Sequence, residues 1–418
     1  MDKVAIIGAG ISGLTVARLL ASRYHVVVFE KEDKPGGLIK CDLVNGSLFH
    51  TCGGHVFNSK RLDVLEWFWK QFSREEEFLK TDRNSVVFMK DGRKIPYPVE
   101  NHMYCFDADI QRRFVDDLVE IARTDYSEPQ NFEEFLHTRF GDTLYGLYFK
   151  PYNEKIWRRD LKQIPLSWLE GKLPMPSVAE MIYYNINHVE EASFVHSSFW
   201  YAKHGGSQFI VDRLSEGLDI RYNSEIDSIE IEDGKWVIGG VQFDTVVYCG
   251  NIKDMVLLLN GHISNRLMQA VSELEYHGTT TVFCEIDKNP YSWIYLPSKE
   301  YESHRIICTG NFSEANNGES ITDNRITATI EFTDEINNEE IINNLTRIPL
   351  KPKYIDHKYN KYSYPIQDIN TRRMIQSLKA ELAPLSFYFT GRFADWEYYN
   401  MDMAMGAAMD MVELFFTK

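Results

Sequence analysis

The first thirty residues constrain the fold of this 418-residue chain more than any other part of it. Val4-Ala-Ile-Ile7 is a short β-branched run, Gly8-Ala-Gly10-Ile-Ser12-Gly13 follows at once, and Leu14 to Leu20 carries apolar residues at helical spacing. That order reads as strand, glycine turn, helix. A second apolar run, His25-Val-Val-Val-Phe29, ends on Glu30, about twenty residues beyond the glycines. Each part has a task in holding a dinucleotide. The glycines let backbone close on a pyrophosphate, the helix N-terminus offers amide hydrogens and a positive dipole end, and the carboxylate accepts from ribose hydroxyls.

Lys31-Glu-Asp-Lys-Pro35-Gly36-Gly37 places a second glycine turn directly after the ribose-binding acid. Here the chain resembles the flavoprotein superfamily of amine oxidases and protoporphyrinogen oxidases, which implies FAD rather than NAD. Gly53-Gly54-His55 then permits close backbone approach with an imidazole attached. At that motif the resemblance narrows to the UDP-galactopyranose mutases, whose corresponding turn lies against the isoalloxazine ring. Arg93-Lys-Ile-Pro96-Tyr97-Pro98, Lys150-Pro-Tyr152-Asn153-Glu154-Lys155-Ile-Trp157, Trp168 to Pro174, Arg305 to Ser313, Gly391-Arg392-Phe393 and Tyr398-Tyr399-Asn400-Met401-Asp402 resemble further segments in the family's order. Lys172 stands where the family has arginine, giving a point charge without the bidentate fork, and Asn400 stands where bacterial mutases have aspartate.

The resemblance implies a ring-contracting isomerisation of a nucleotide-linked sugar through a reduced-flavin N5 sugar adduct. It implies cofactor contacts from Gly8, Gly10, Ser12, Gly13, Glu30, Lys31, Gly36, Gly37, Gly53, Gly54, His55, Arg392 and Met401, and places His55, Lys172, Arg305, Arg392 and Tyr398 at the reaction site. Chemistry alone supports the substrate set: an aromatic plate from Tyr152 or Trp157 suits a base, and Lys172, Arg305, Tyr364, Tyr398 and Tyr399 suit a diphosphate. Other expected partners are NAD(P)H or another electron donor, with self-association left open. An amine-oxidase-like or protoporphyrinogen-oxidase-like FAD-dependent oxidoreductase explains Gly8 to Gly37 equally well but leaves the cations and tyrosines unused. A flavin-stabilised scaffold without turnover is a third reading.

Charge narrows the classes further. Forty-five Lys and Arg against sixty-one Asp and Glu leave a net charge of −16. Such a balance repels phosphate backbones, so nucleic acid is not an expected partner, and an anionic substrate needs cations focused in a cleft. Six dispersed cysteines without zinc spacing predict reduced thiols and no metal. With no basic and apolar leader pattern and no membrane-length apolar run, cytoplasmic location is the expectation. Supplying furanose donors for polysaccharide biosynthesis is the setting the resemblance implies.

Residues 62 to 196 read as mainly helical, apart from Ser85 to Met89 and Lys94-Ile95 as strands, with Trp67, Trp69, Tyr183 and Tyr184 packing between helices. A helix from Gln208, a hairpin over residues 226 to 238 and a buried strand ending near Gly250 follow. Alternating runs from Thr279 to Glu331 predict an antiparallel sheet, while the Asn316-Asn317 and Asn337-Asn338 pairs read as turns. The fold class is thus α/β: a discontinuous Rossmann-like FAD-binding domain (1–61, 197–265 and 380–418), a helical insertion domain (62–196) and an antiparallel sheet substrate domain (266–379).

Overall fold

The computed structural model describes residues 1–166, 176–189, 198–259 and 261–417. Among these, the glycine-rich start builds the centre of a five-stranded parallel sheet in the order Phe387–Phe389, Thr245–Tyr248, Lys3–Ile7, His25–Phe29, Asp219–Arg221. Beyond the polar first residues Lys3, His25 and Thr245, its middle strands are buried because both faces are covered. Val4, Ile6, Val26 and Val28 pack against helices Ile11–Leu20, Gly206–Ser215 and Met401–Phe416. Ala5, Ile7, Val27 and Phe29 face the opposite layer. That layer contains the meander Glu230–Glu232, Lys235–Ile238, Val241–Phe243 and the helices Ile252–Leu258 and Thr371–Leu382. The last helix therefore packs on the first, and the unit is assembled from both ends of the chain.

The second sheet has seven strands, ordered Lys353–Ile366, Glu275–Asp287, Arg325–Thr333, Arg305–Ile307, Trp293–Tyr295, Ser85–Phe88, Lys94–Pro96. It is antiparallel except where Trp293–Tyr295 runs parallel to Ser85–Phe88. The alternation between Thr279 and Glu331 is thus realised as strands, and Ser85 to Phe88 joins them instead of staying with the helices around it. Lys353–Ile366 shows no strand alternation in sequence: it is an edge, its Lys and Tyr side chains are mostly exposed or half-buried, and no buried face imposes a period of two.

Helices Ala108–Arg123, Phe132–Leu144, Lys150–Trp157 and Val178–Asn187 enclose their own core, centred on Phe114, Phe135, Leu136, Phe140, Phe149 and Trp157. Three expectations for local structure are corrected. Phe78–Asp82 is a strand paired with Ser198–Ala202. Tyr183 points to solvent, because Val178–Asn187 fully buries only Met181. Asn337 begins a helix, its side chain accepting from the Glu340 amide in a capping box. No described helix is long and apolar enough to cross a membrane.

The strand-to-helix turn leaves no room at Gly13, where a Cβ would lie 1.9 Å from the Gly8 carbonyl oxygen. Gly13→Ala is therefore expected to destabilise the nucleotide domain by about 1–3 kcal/mol, as overpacking does. Thermal unfolding and the amount of dinucleotide retained on purification should fall together; a variant unchanged in both would refute this account of the turn.

Candidate active site

The two glycine turns are sewn together by backbone. Gly8, at φ +106°, donates its amide to the Phe29 carbonyl at 2.8 Å, and the Gly36 amide donates to the Ala9 carbonyl at 2.9 Å. The buried Glu30 carboxylate accepts from the Ala9 amide at 2.7 Å and from the Glu32 amide at 3.0 Å. Gly10 caps helix Ile11–Leu20 without a side-chain hydrogen bond, which leaves first-turn amides to an anion. A Cβ built on Gly10 would meet the Gly37 Cα at 4.0 Å, so the two turns pack in van der Waals contact, glycine against glycine. Gly391, at φ +122°, closes over this cradle, with the Ser12 hydroxyl 3.1 Å from the place a Cβ would occupy. Asp395 fixes that loop, accepting from the Gly391 amide at 2.9 Å and the Thr390 hydroxyl at 3.1 Å. Met401 is buried in the first turn of the last helix, and Lys31 is exposed at the rim.

At the inner end, the Gly53-Gly54-His55 turn lies flat on strand Arg305–Ile307, since a Cβ on Gly54 would come within 2.6 Å of Ile307 Cγ2. The Gly53 amide donates to Glu331 Oε1 at 2.9 Å. Burial, reinforced by the Arg392 charge, pushes His55 down to about 4, and its Nε2 is buried without a hydrogen-bond partner. Behind it, burial pushes His50 down to about 3. His50 Nε2 pairs with the Tyr201 hydroxyl at 2.7 Å and Nδ1 with the Ser207 hydroxyl at 3.2 Å, while Ser207 donates to the Ile39 carbonyl at 2.6 Å. Both imidazoles are neutral at pH 7. The helix start without a side-chain cap, the buried Glu30 carboxylate and this orphaned ring nitrogen fit a flavin dinucleotide.

Beside the turn lies a cluster of cations and tyrosines. Arg305 and Glu331 are register partners in the antiparallel sheet. Arg305 Nε donates to Glu331, and its Nη2 donates to the Tyr364 hydroxyl at 3.1 Å. Burial opposes both charges, yet each partner keeps the other ionised: Glu331 is held well below the carboxylate range and Arg305 is raised further. Tyr364 stacks on Tyr398 with ring centroids 5.3 Å apart, and the Arg392 guanidinium sits 4.1 Å from the Tyr398 ring centre. Tyr152 meets Tyr295 edge-to-face at 5.6 Å, and Tyr295 in turn contacts Tyr97 at 4.9 Å and accepts from Arg83 at 2.8 Å. Burial raises the Tyr152 hydroxyl well above its ordinary value, against the opposing pull of the nearby Arg305.

His55, Tyr152, Arg305, Tyr364, Arg392 and Tyr398 are thus brought together. Trp157 is not: it is 2 % exposed, because the last turn of its helix faces the helical core, so it offers no open plate to a base. Tyr399 also turns away, packing against the nucleotide-domain core beside Asp395. Lys172 and the stretch Trp168 to Pro174 lie outside the described residues. Glu331, His50, Tyr295 and Arg83 were missed, since none belongs to a compact motif; Glu331 becomes visible only once strand register sets it opposite Arg305.

The neutral, fully buried His50 makes the fold's stability depend on pH. Its folded pKa lies below the ordinary 6.5, so the unfolded state gains the proton first and stability, complete above 6.5, falls as pH drops toward about 3. His50 should contribute a slope of about 1.4 kcal/mol per pH unit below that onset. Denaturant titrations over this range should show a shallower decline for His50→Gln than for the parent chain; equal slopes would contradict the assignment.

Residues 6–72 match the family described as NAD(P)-binding Rossmann-like domain. The UDP-galactopyranose mutase of Mycoplasma genitalium is 22 % identical over 96 % of this chain and 92 % of its own length. A dTDP-fucopyranose mutase of Escherichia coli is 30 % identical over 42 % of this chain and 46 % of its own. Among solved structures, a reduced UDP-galactopyranose mutase superposes with a TM-score of 0.86 at 21 % identity, covering 99 % of this chain and 93 % of that one. The resemblance to the UDP-galactopyranose mutases carried by the ordered motifs therefore extends over nearly the whole chain, in sequence and in fold.

Proposed function

We propose that this chain is a flavin-dependent nucleotide-sugar mutase that interconverts pyranose and furanose forms of a hexose carried on a nucleoside diphosphate. The observation that carries the reading is the Arg305, Tyr364, Tyr398 and Arg392 cluster, set against the Gly53-Gly54-His55 turn at the end of a dinucleotide cradle. The cradle suits FAD: Glu30 for a ribose, the capless start of helix Ile11–Leu20 for the pyrophosphate, and the Gly53 to His55 turn for the ring. Bound in its reduced form, the flavin supplies a nucleophilic nitrogen toward the anomeric carbon.

The chain's own residues do the remainder. Arg305 and the two stacked tyrosine hydroxyls hold the diphosphate and stabilise the charge it gains as its bond to the sugar breaks. Arg392 adds positive potential from the cofactor side, and keeping the released diphosphate within this cluster allows it to return to the anomeric carbon. Tyr152, Tyr295 and Tyr97 offer ring faces and edges for the base. Neutral His55 adds no like charge beside Arg392, so the cationic field stays directed at the diphosphate. NAD(P)H or another donor keeps the cofactor reduced, and cytoplasmic production of furanose donors for polysaccharides is the setting we assign.

The rival is oxidase chemistry on an amine or apolar substrate, for which a paired arginine and stacked tyrosines have no task. Reduced enzyme given UDP-galactopyranose or dTDP-fucopyranose is expected to yield the furanose isomer by NMR; bleaching of oxidised flavin by substrate, without isomer, would support the oxidase. Arg305→Ala is expected to leave flavin content unchanged while weakening nucleotide-sugar binding by about 1.5–3 kcal/mol, the scale of a charged hydrogen bond. Unchanged affinity in calorimetry would remove Arg305 from the site.

A further inference from the structure

The strand partners Tyr295 and Arg305 face each other across the hairpin that bears the base and diphosphate contacts, while Tyr152 comes from a separate helix. Exposed ion pairs join these elements at the surface, Glu154 with Lys299 at 3.0 Å and Arg158 with Glu302 at 3.6 Å, and beneath them lies a buried link. Lys155, three residues beyond Tyr152, reaches out of helix Lys150–Trp157 and donates its Nζ to the Leu296 carbonyl at 2.7 Å and the Ser303 carbonyl at 2.9 Å. Those carbonyls lie at the two ends of the loop leaving Tyr295 and returning to Arg305, a loop closed by the Leu296 amide donating to the His304 carbonyl at 2.9 Å. The ammonium also sits 4.8 Å from the centre of the Tyr301 ring. Backbone ties complete the clasp: the Lys155 carbonyl accepts from the Thr333 hydroxyl at 2.9 Å, and the Trp157 carbonyl accepts from His277 Nε2 at 2.6 Å. Two helix-end carbonyls without intrahelical partners are thereby satisfied by the sheet.

We infer that Lys155, through its side-chain nitrogen and its own carbonyl, is a positioning residue that holds Tyr152, Tyr295 and Arg305 in the register a nucleoside diphosphate requires. The inference rests on the function proposed above. A methionine would fill similar volume without the cost of burying an amine, so what the lysine adds is two directed bonds. Burial pushes Lys155 down to about 7, and either protonation form has hydrogens for both carbonyls. The role is therefore geometric.

The test uses the flavin-loaded full chain and measures UDP and dTDP binding by calorimetry. Lys155→Met is expected to raise both dissociation constants about tenfold, with KM rising more than kcat falls and flavin content held. Combining it with Tyr152→Ala should be strongly non-additive, because once the register is lost Tyr152 has less to contribute. Unchanged affinity, or additive effects in the double variant, would overturn the inference and leave Lys155 a stability residue. Should Lys155→Met fail to fold, Thr333→Val removes the tie to the Lys155 carbonyl alone. It should weaken UDP binding about threefold, and parent-like binding by that variant would overturn the inference equally. Failure of the parent chain to bind either nucleotide would instead sink the proposed function.

Discussion

The carboxylate of Glu331 is the interaction on which the site depends. It is 1 % exposed, accepts from the Gly53 amide and from Arg305, and has His304 Nε2 3.5 Å away. Burying an ion pair costs desolvation on both sides, and an apolar pair of the same volume would stabilise the sheet as well or better. What the apolar pair could not do is tie the Gly53-Gly54-His55 turn to the arginine that meets Tyr364. One carboxylate fixes both, so the spacing between the Gly53 turn and the Arg305 guanidinium is set by a single buried group on a central strand.

That arrangement also explains how an acidic protein presents a cationic pocket. With a net charge of −16, long-range attraction for a diphosphate is absent. Glu331 neutralises one positive charge, leaving the Arg392 guanidinium, held over the Tyr364 and Tyr398 rings, as the excess. His50 and His55 stay neutral. In the function proposed, selectivity for a phosphate group comes from hydrogen-bond geometry and from a short-range field, in a place where burial keeps water from screening it.

Much of the nucleotide domain was legible because its physics is local. Gly8, Gly10, Gly13 and Glu30 belong to one strand-turn-helix-strand unit whose spacing follows from the turn itself, with Gly37 in the next turn along the chain. The alternating runs between Thr279 and Glu331 showed a sheet for the same reason. Contacts set by register were not legible: Arg305 was found as a cation, but its partner lies in another strand at a separation no motif encodes. Trp157 misled because a tryptophan near a substrate-like motif has two uses, packing or stacking, and only the direction of the last helical turn decides between them. Lys353–Ile366 was hidden by its exposed edge, which removes the alternation by which strands are recognised, although it delivers Tyr364 to the site.

The origin of each group shows why the site is built this way. Tyr364 and Arg305 come from the antiparallel sheet, whereas Arg392 and Tyr398 come from the loop that closes the parallel sheet over Ser12. The Tyr364 to Tyr398 stack and the Arg392 contact to the Tyr364 ring are therefore contacts between the two units, while Arg392 and Tyr398 meet within the loop itself. The loop's path is dictated by Gly391, whose left-handed backbone lets the chain turn beside the cradle, and by Asp395, which holds that turn from within. Geometry at the glycine turns consequently determines where two of the four groups in the arginine and tyrosine cluster stand. A chain assembled in this manner does not form that cluster apart from its glycine-turn cradle, since the same Gly391 loop closes one and supplies half of the other.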